Sequence, residues 1–467
     1  MQMWLHWWSV VSPLRAACSR QRTFLWLATV LAGFCTRDDL LGVSSFVRTL
    51  GLAARCYQRL LKFFHSEALD LERLTQLWTG QALRLLPVHR FEGRPVLLGD
   101  GIKIGKSGRK MPAVKRLHQE SDGNTKPEFI MGHSVQVISL LVAAGSSFFA
   151  VPLAGRIHEG VKFSNRDQRT LPEKFGVLLD SLKLGESFIL VVDAYYACRF
   201  LALQALAGGS HLLSRVRRNT VAHLPPSPLT GPKKRGRPRV FGEKLKLWTS
   251  FDASPEQWQS AMSPVYGERG VTIRFLCRDL LWRPLHRVVR FVLVDHPSRG
   301  RLIFIVTDLS MPGIEVIRLY GLRFKIELSF KQALRVIGVY AYHFWMSQMH
   351  PLPRRGGTQY LHRKSDRYRN AVRRKIRAYH AHIQIGLIAQ GLLQYLAVSC
   401  PRQVWACFGS WLRTIRPGLP PSEFVTRAAL RNALPDFLAQ RLTVPSFKKF
   451  LRDNIELGNY EALRLAG

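Results

Sequence analysis

Two aspartates stand where apolar runs end: Asp100 closes LLGD and Asp193 closes ILVVD. A carboxylate at the end of a buried strand loses hydration and needs a partner, unless the strand simply leaves the core there. For either residue alone the strand exit is a sufficient account. Two such acids at one sheet edge would repel each other, and bound metal ions offset that repulsion. A third acid bears on the choice. Tyr320, Arg323, Glu327 and Lys331 are spaced at 0, 3, 7 and 11, and at ~100° per residue they share one helical face. That face could be a solvated stripe, tied by Arg323 to Glu327 and Glu327 to Lys331 pairs. Leu322, Phe324, Ile326, Leu328 and Phe330 crowd the rest of the helix, however. A helix apolar on most sides is expected to be buried, with its polar face lining a site.

The elements that must position these groups follow from periodicity. Residues 1–90 are expected to be helical, with apolar positions recurring through Phe24–Phe34 and Tyr57–Phe64. Ser44 or Ser45, the turn at Gly51, and Arg48, Arg55, Arg59 and Lys62 fit a small DNA-binding helix-turn-helix; a helical hairpin with solvated arginines fits equally. Over 91–217, strands are expected at Pro95–Ile104, Ile130–Ala143, Ser147–Leu153, Ser187–Asp193 and His211–Val216. Helices are expected at Arg169–Leu184 and Cys198–Ala207. The order β-β-β-α-β-α-β is that of an α/β ribonuclease-H-like catalytic core, a mixed sheet with flanking helices. Five prolines (225, 226, 228, 232 and 238) break this pattern, and 218–300 reads as a β-rich insertion with strands at Leu245–Thr249, Val271–Cys277 and Arg287–Val294. The core is completed over 301–340 by the strand Arg301–Thr307 and a long helix from Gly313 to Val336 that bears Glu327. A basic linker and a helical C-terminal region fill 341–467.

Bulk composition narrows the partners. The 467 residues carry 69 Lys and Arg against 31 Asp and Glu, a formal charge of +38, while 47% are hydrophobic. A folded chain with that excess implies a polyanionic partner, nucleic acid or an anionic membrane surface. The apolar run Thr23–Thr36 is short of the ~20 residues a span needs, and the 22 mixed residues before it argue against a signal peptide. Val135–Ala154 is long enough but reads as two strands around Gly-Ser-Ser, so no membrane segment is expected. Seven cysteines without a Cys-x-x-Cys pair disfavour a zinc ribbon and suit reduced thiols in the cytoplasm.

Taken together, Tyr320-x2-Arg323-x3-Glu327 after the strand IFIVTDLS, with LLGDG around Asp100 and VVDAYYA around Asp193, resembles the Tyr-Arg-Glu-Lys signature of bacterial insertion-sequence DDE transposases. Within that class it is similar to the cut-and-paste group with a β insertion between the second Asp and the Glu. The likeness spans roughly 90–340. It implies that Asp100, Asp193 and Glu327 are both the catalytic residues and the ligands of two Mg²⁺ ions, with Mn²⁺ as a substitute. It implies that Tyr320 and Arg323 contact DNA phosphate near the cut, and that the partners are element ends, target DNA and a second copy in a homodimer. One position departs: the family Lys falls at Leu334, so Lys331 or Arg335 would supply that charge.

Other features suit DNA. KKRGRPR at 233–239, with Lys233, Lys234, Arg235 and Arg237, resembles a minor-groove hook or is a basic loop touching phosphates without preference. Ten Lys or Arg lie between Arg354 and Arg377, with Tyr368 interleaved, Tyr379 just beyond and only Asp366 opposing; a phosphate-tracking surface is expected there. The apolar helix His382–Val398 is expected in the core, with a dimer contact as the alternative. Asp122, Glu128, Glu159, Asp295 and Asp308 are rival acids, and Asp308, directly after a core strand, is read as a turn or cap. A non-catalytic DNA-binding protein of the same fold and a nuclease that cuts without joining remain as alternatives.

Overall fold

The computed structural model describes residues 2–119, 127–226, 239–253, 255–353, 355–411, 413–416, 418–439, 445–456 and 458. The chain forms two compact units. One comprises Met1–Val88, Gly101–Leu184 and Leu328–Gly467; the other comprises His89–Asp100 and Gly185–Glu327.

The second unit is built on the strand Ile189–Val192, whose four residues are all buried. A strand covered on both faces reads as a continuous apolar run, which is why ILVV was legible. It runs parallel to the strand beginning at Arg94, with Val96 opposite Ile189 and Gly99 opposite Val192. On its other side it runs parallel to His211–Arg215. Antiparallel strands Gly300–Val306, Arg287–His296 and Thr272–Trp282 then follow edge to edge, ending in the short pair Val221–His223 and Lys244–Lys246. The strands supplied by 218–300 therefore extend the same sheet. The strand expected at Leu245–Thr249 is shorter: it ends at Lys246, and Leu247–Phe251 winds into a 3₁₀ turn that buries Leu247 and Phe251.

The first unit has a hairpin and one long helix at its centre. Phe129–Ala144 and Ser147–Ile157 pair antiparallel, Ala144 opposite Ser147, around Gly145 at φ 59°. The apolar run Val135–Ala154 is thus two buried strands. The helix Asp366–Ser399 starts at Ser365, whose side chain caps the Tyr368 N–H, so residues 366–377 of the basic stretch are helical. Arg367, Arg373 and Arg374 are exposed there, whereas the turns beyond Ala378 are almost wholly buried. By length and composition this helix could cross a membrane, yet 94% of its apolar window is buried inside the protein. Its glutamines serve the hairpin. Gln384 Nε2 donates to Leu153 O at 2.8 Å and Gln394 Nε2 to Ala150 O at 3.1 Å, while Trp78 Nε1 donates to Pro152 O at 2.9 Å. Gly391 permits this approach, since a Cβ there would lie 2.2 Å from the Trp78 ring.

The N-terminal run Thr23–Thr36 lies in a buried helix, Gln21–Thr36. Short helices Ser44–Thr49 and Cys56–Phe64 flank a turn at Gly51, φ 60°. Neither Ser44 nor Ser45, at the start of the first of these helices, caps it by its side chain. Ser45 is instead buried, donating to Gly42 O and accepting from Arg37.

Candidate carboxylate active site

All three expected acids fall in the second unit. Gly99 and Val192 face each other on parallel strands, so Asp193, where its strand ends, lies next to Asp100, which sits within a strand that continues to Gly105. Backbone bonds fix the Asp193 end. The Tyr196 N–H donates to Asp193 O at 2.9 Å, and Ser214 Oγ lies 3.0 Å from the carbonyls of both Val192 and Asp193.

Glu327 arrives on a helix that is not continuous, contrary to the expectation for Gly313–Val336. The structure has Gly313–Leu322 and Phe324–Gln332, then a single π turn at Ala333–Ile337 closed by Gly338 at φ 71°. At the break, Arg323 N–H donates to Tyr320 O and Ile326 N–H to Arg323 O, a tighter i to i+3 pattern than the α-helical one. Gly321 sits beside the break, and a Cβ there would lie 2.4 Å from Val265 Cγ1. Close packing of Val265 is favoured here over helix propensity. The apolar side of Phe324–Gln332 is also less buried than expected. Ile326 and Phe330 are inside, but Phe324 and Leu328 are each 39% exposed, and Glu327 shares their solvent side at 44%.

Arg323 joins the acids. Its Nη1 donates to Asp100 Oδ2 at 2.8 Å and its Nη2 to Glu327 Oε1 at 2.9 Å. Tyr320 Oη donates to Asp193 Oδ1 across a long 3.4 Å, and its ring rests on Phe304 at 4.7 Å. Burial lowers the affinity of Arg323 for its proton, but Asp100, Tyr320, Asp193 and Glu327 together outweigh it, so its pKa rises. Burial pushes the Tyr320 phenol up to about 12, with Asp193 adding and Arg323 opposing. Tyr320 is therefore a hydrogen-bond donor at neutral pH and not a base.

Among the described residues no three Asp, Glu, His or Cys groups converge closely enough to cage an ion. The charge between Asp100 and Glu327 is carried by the Arg323 guanidinium, a stand-in cation on two of the three expected ligands. The donor set is all carboxylate oxygen, which suits hard ions such as Mg²⁺. The residues present fit such an ion provided that Arg323 yields.

The remaining residues separate clearly. Lys331 is exposed in the last turn of its helix, and Leu334 and Arg335 are exposed beyond it. Lys233, Lys234, Arg235 and Arg237 lie outside the described residues, as does Asp122. Asp308 is bound by Arg94 at 2.7 Å and by the backbone and hydroxyl of Ser310, a turn anchored to the start of the Asp100 strand. Arg94 is six residues from Asp100 along one strand, roughly 20 Å, which sets Asp308 apart from the site. Glu159 pairs with Lys115, Asp295 with Arg274 and Glu128 with His118.

The sequence reading passed over a basic groove on the same unit. Arg215 ends its strand opposite Phe304, the residue under Tyr320. Immediately beyond, Arg217, Arg218, Asn219, Lys246 and Trp248 line a groove of about 570 Å³, with the Arg218 guanidinium 4.3 Å from the Trp248 ring. The signal was present as three arginines in the four residues RVRR, 215–218, following a core strand.

The family described as DDE superfamily endonuclease matches residues 14–278, more than half of the chain, and the chain belongs to that family. The match takes in Asp100 and Asp193 and ends before Glu327. A solved piggyBac transposase synaptic complex with hairpin DNA is similar over 93% of this chain and 76% of its own, at 12% identity and a TM-score of 0.35. Among curated proteins, none matches this sequence.

Proposed function

We propose that the chain is a DNA transposase that cuts the ends of an insertion sequence and joins them to target DNA. One observation carries the reading: Asp100, Asp193 and Glu327 gather on one unit around Tyr320 and Arg323. The parallel run of the Asp100, Asp193 and His211–Arg215 strands supports a ribonuclease-H-like core. The endonuclease family supports phosphodiester chemistry.

In this reading Asp100, Asp193 and Glu327 would together hold two divalent ions. Mg²⁺, with Mn²⁺ as substitute, would supply stabilisation of the attacking and leaving oxygens of an in-line displacement. The chain itself does the placing. The paired strands fix the two aspartates, the helix brings Glu327 across from them, and Arg323 and Tyr320 present donors to a phosphate oxygen. Lys331 and the segment with Lys233, Lys234, Arg235 and Arg237 add backbone contacts, as do the groove at Arg217–Lys246 and the exposed arginines of 366–377. Water would attack the phosphodiester at the element end, leaving a 5′-phosphate on the flank and a free 3′-hydroxyl on the element. That hydroxyl would attack a target phosphodiester and expel a target 3′-hydroxyl, and a homodimer would pair the two ends. A formal charge of +38 supports this backbone-dominated binding.

The test is incubation of the purified chain with labelled duplexes carrying the ends that flank its gene, in Mg²⁺ or in EDTA. Cuts at the end that need the metal, with joined products, are expected. Cuts without joining would instead fit a nuclease of this family, and binding without cuts would fit a DNA-binding relic.

A further inference from the structure

Arg323 occupies an unusual place for a phosphate-contacting residue. Its side chain is only 15% exposed, and both arms of its fork are taken by the acids of the site, Asp100 at 2.8 Å and Glu327 at 2.9 Å. A guanidinium that bridges two carboxylates supplies part of the positive charge that a divalent ion would supply there. The two cannot both use Asp100 Oδ2 and Glu327 Oε1. A free guanidinium would lose two charge-assisted bonds on leaving, so it needs somewhere else to go. A tetrahedral phosphate presents two oxygens that the guanidinium fork can take together.

We propose that Arg323 is an internal counter-ion that competes with divalent metal for Asp100 and Glu327 until a DNA phosphate takes its guanidinium. Metal and DNA then bind cooperatively, each favouring the state in which Arg323 has turned away from the acids. By thermodynamic linkage the effect is reciprocal: DNA tightens metal binding by the factor by which metal tightens DNA binding. A chain without DNA is kept poorly loaded with metal, which limits stray cutting by a strongly basic nuclease. The inference rests on the reading that these acids hold metal.

Calorimetric titration of Mn²⁺ tests it, using the full-length wild type, Arg323→Gln and Arg323→Lys. Each is titrated alone and with a saturating short duplex of mixed sequence, and the duplex-only heat is subtracted. Without duplex, Arg323→Gln is expected to bind Mn²⁺ about tenfold more tightly than wild type, within the ~5–150-fold span of ordinary coupling. Duplex should tighten wild type by a similar factor and leave Arg323→Gln almost unchanged. Arg323→Lys keeps the charge but not the fork, so it should shift in the same direction by less. It also provides the reading if Arg323→Gln, checked by circular dichroism, does not fold. Equal Mn²⁺ affinity of wild type and both variants without duplex would overturn the counter-ion while sparing the metal site. No Mn²⁺ binding in any arm would overturn the metal site, and this inference with it.

Discussion

Arg37 offers a quantitative test of what holds the π turn Ala333–Ile337 in place. Its side chain is fully buried in the first unit, stacked at 4.5 and 4.6 Å from the Phe34 and Phe46 rings. It makes five hydrogen bonds: two to Ile337 O, and one each to Gly338 O, Gly42 O and Ser45 Oγ. Ile337 and Gly338 close the π turn that follows the Phe324–Gln332 helix, so this one guanidinium ties that turn to the loop after Gln21–Thr36. Burial pulls its pKa down to about 9, with Asp39 opposing and Arg427 adding, which leaves it charged at neutral pH. Arg37→Met keeps the stem and removes every donor. Gly338 O and Gly42 O retain other donors, from Ala341 N–H and Ser45 Oγ. Ile337 O bears the larger loss. An orphaned buried carbonyl costs about 1–3 kcal/mol and bonds to a charged donor contribute about 1.5–3 each, partly offset by no longer burying a charge. The net is about 3 kcal/mol, and at roughly 1.5 °C per kcal/mol for a unit of about 310 residues the melting temperature should fall by roughly 4–5 °C. Thermal melts followed by far-ultraviolet circular dichroism measure it. A variant melting within about 2 °C of wild type would show that the network is replaceable and refute this reasoning.

Two further outcomes follow from the ion pairs. Glu268 is held down to about 2 by hydrogen bonds from Ser263, His296 and Arg299, Ser263 first. Its folded pKa is depressed, so its contribution is present above the ordinary 4.5 and is lost as pH falls from there toward about 2. In denaturant titrations at about pH 5 and about pH 3, Glu268→Gln should flatten that loss; an unchanged difference between the two pH values would exclude it. Asp308→Ala removes a carboxylate only 6% exposed, one of two on Arg94, and leaves Glu92 on Arg94 at 2.7 Å. It should cost about 2 kcal/mol, the loss of charge-assisted bonds without an orphaned charge, while preserving metal-dependent cutting of DNA by the folded fraction; a folded, inactive variant would return Asp308 to the list of catalytic acids.

What was legible in the sequence had a local cause. ILVV is buried on both faces and therefore reads as a strand, and the apolar run around Gly145 splits into a hairpin because Gly takes the positive φ of its turn. The Arg323 to Glu327 pair was legible from i,i+4 spacing. The pairing of Arg323 with Asp100, 223 residues away, was not, because no period encodes a contact between distant segments. The helix break at Arg323 lies beside Gly321, whose close contact with Val265 comes from a segment distant in sequence and so is not visible in the local pattern. Phe324 and Leu328 were placed inside because they are apolar, yet they share solvent with Glu327. The groove at Arg217–Lys246 comes from two segments meeting at the short strand pair Val221–His223 and Lys244–Lys246. Only its arginines, not its shape, could be seen in the chain.

The carboxylates themselves provide the most direct measurement. Asp100→Asn, Asp193→Asn and Glu327→Gln, each nearly isosteric, would be assayed beside wild type for Mg²⁺-dependent cutting of end-bearing duplexes and, separately, for binding of the same duplexes. If the three acids hold the metal, each variant should cut at less than about a hundredth of the wild-type rate, beyond the ~10–100-fold losses typical of residues that only support metal ligands. Each should still bind DNA within about threefold of wild type, because backbone contacts dominate affinity. Full cutting by any one of the three would remove that residue from the site, and full cutting by all three would contradict the carboxylate mechanism.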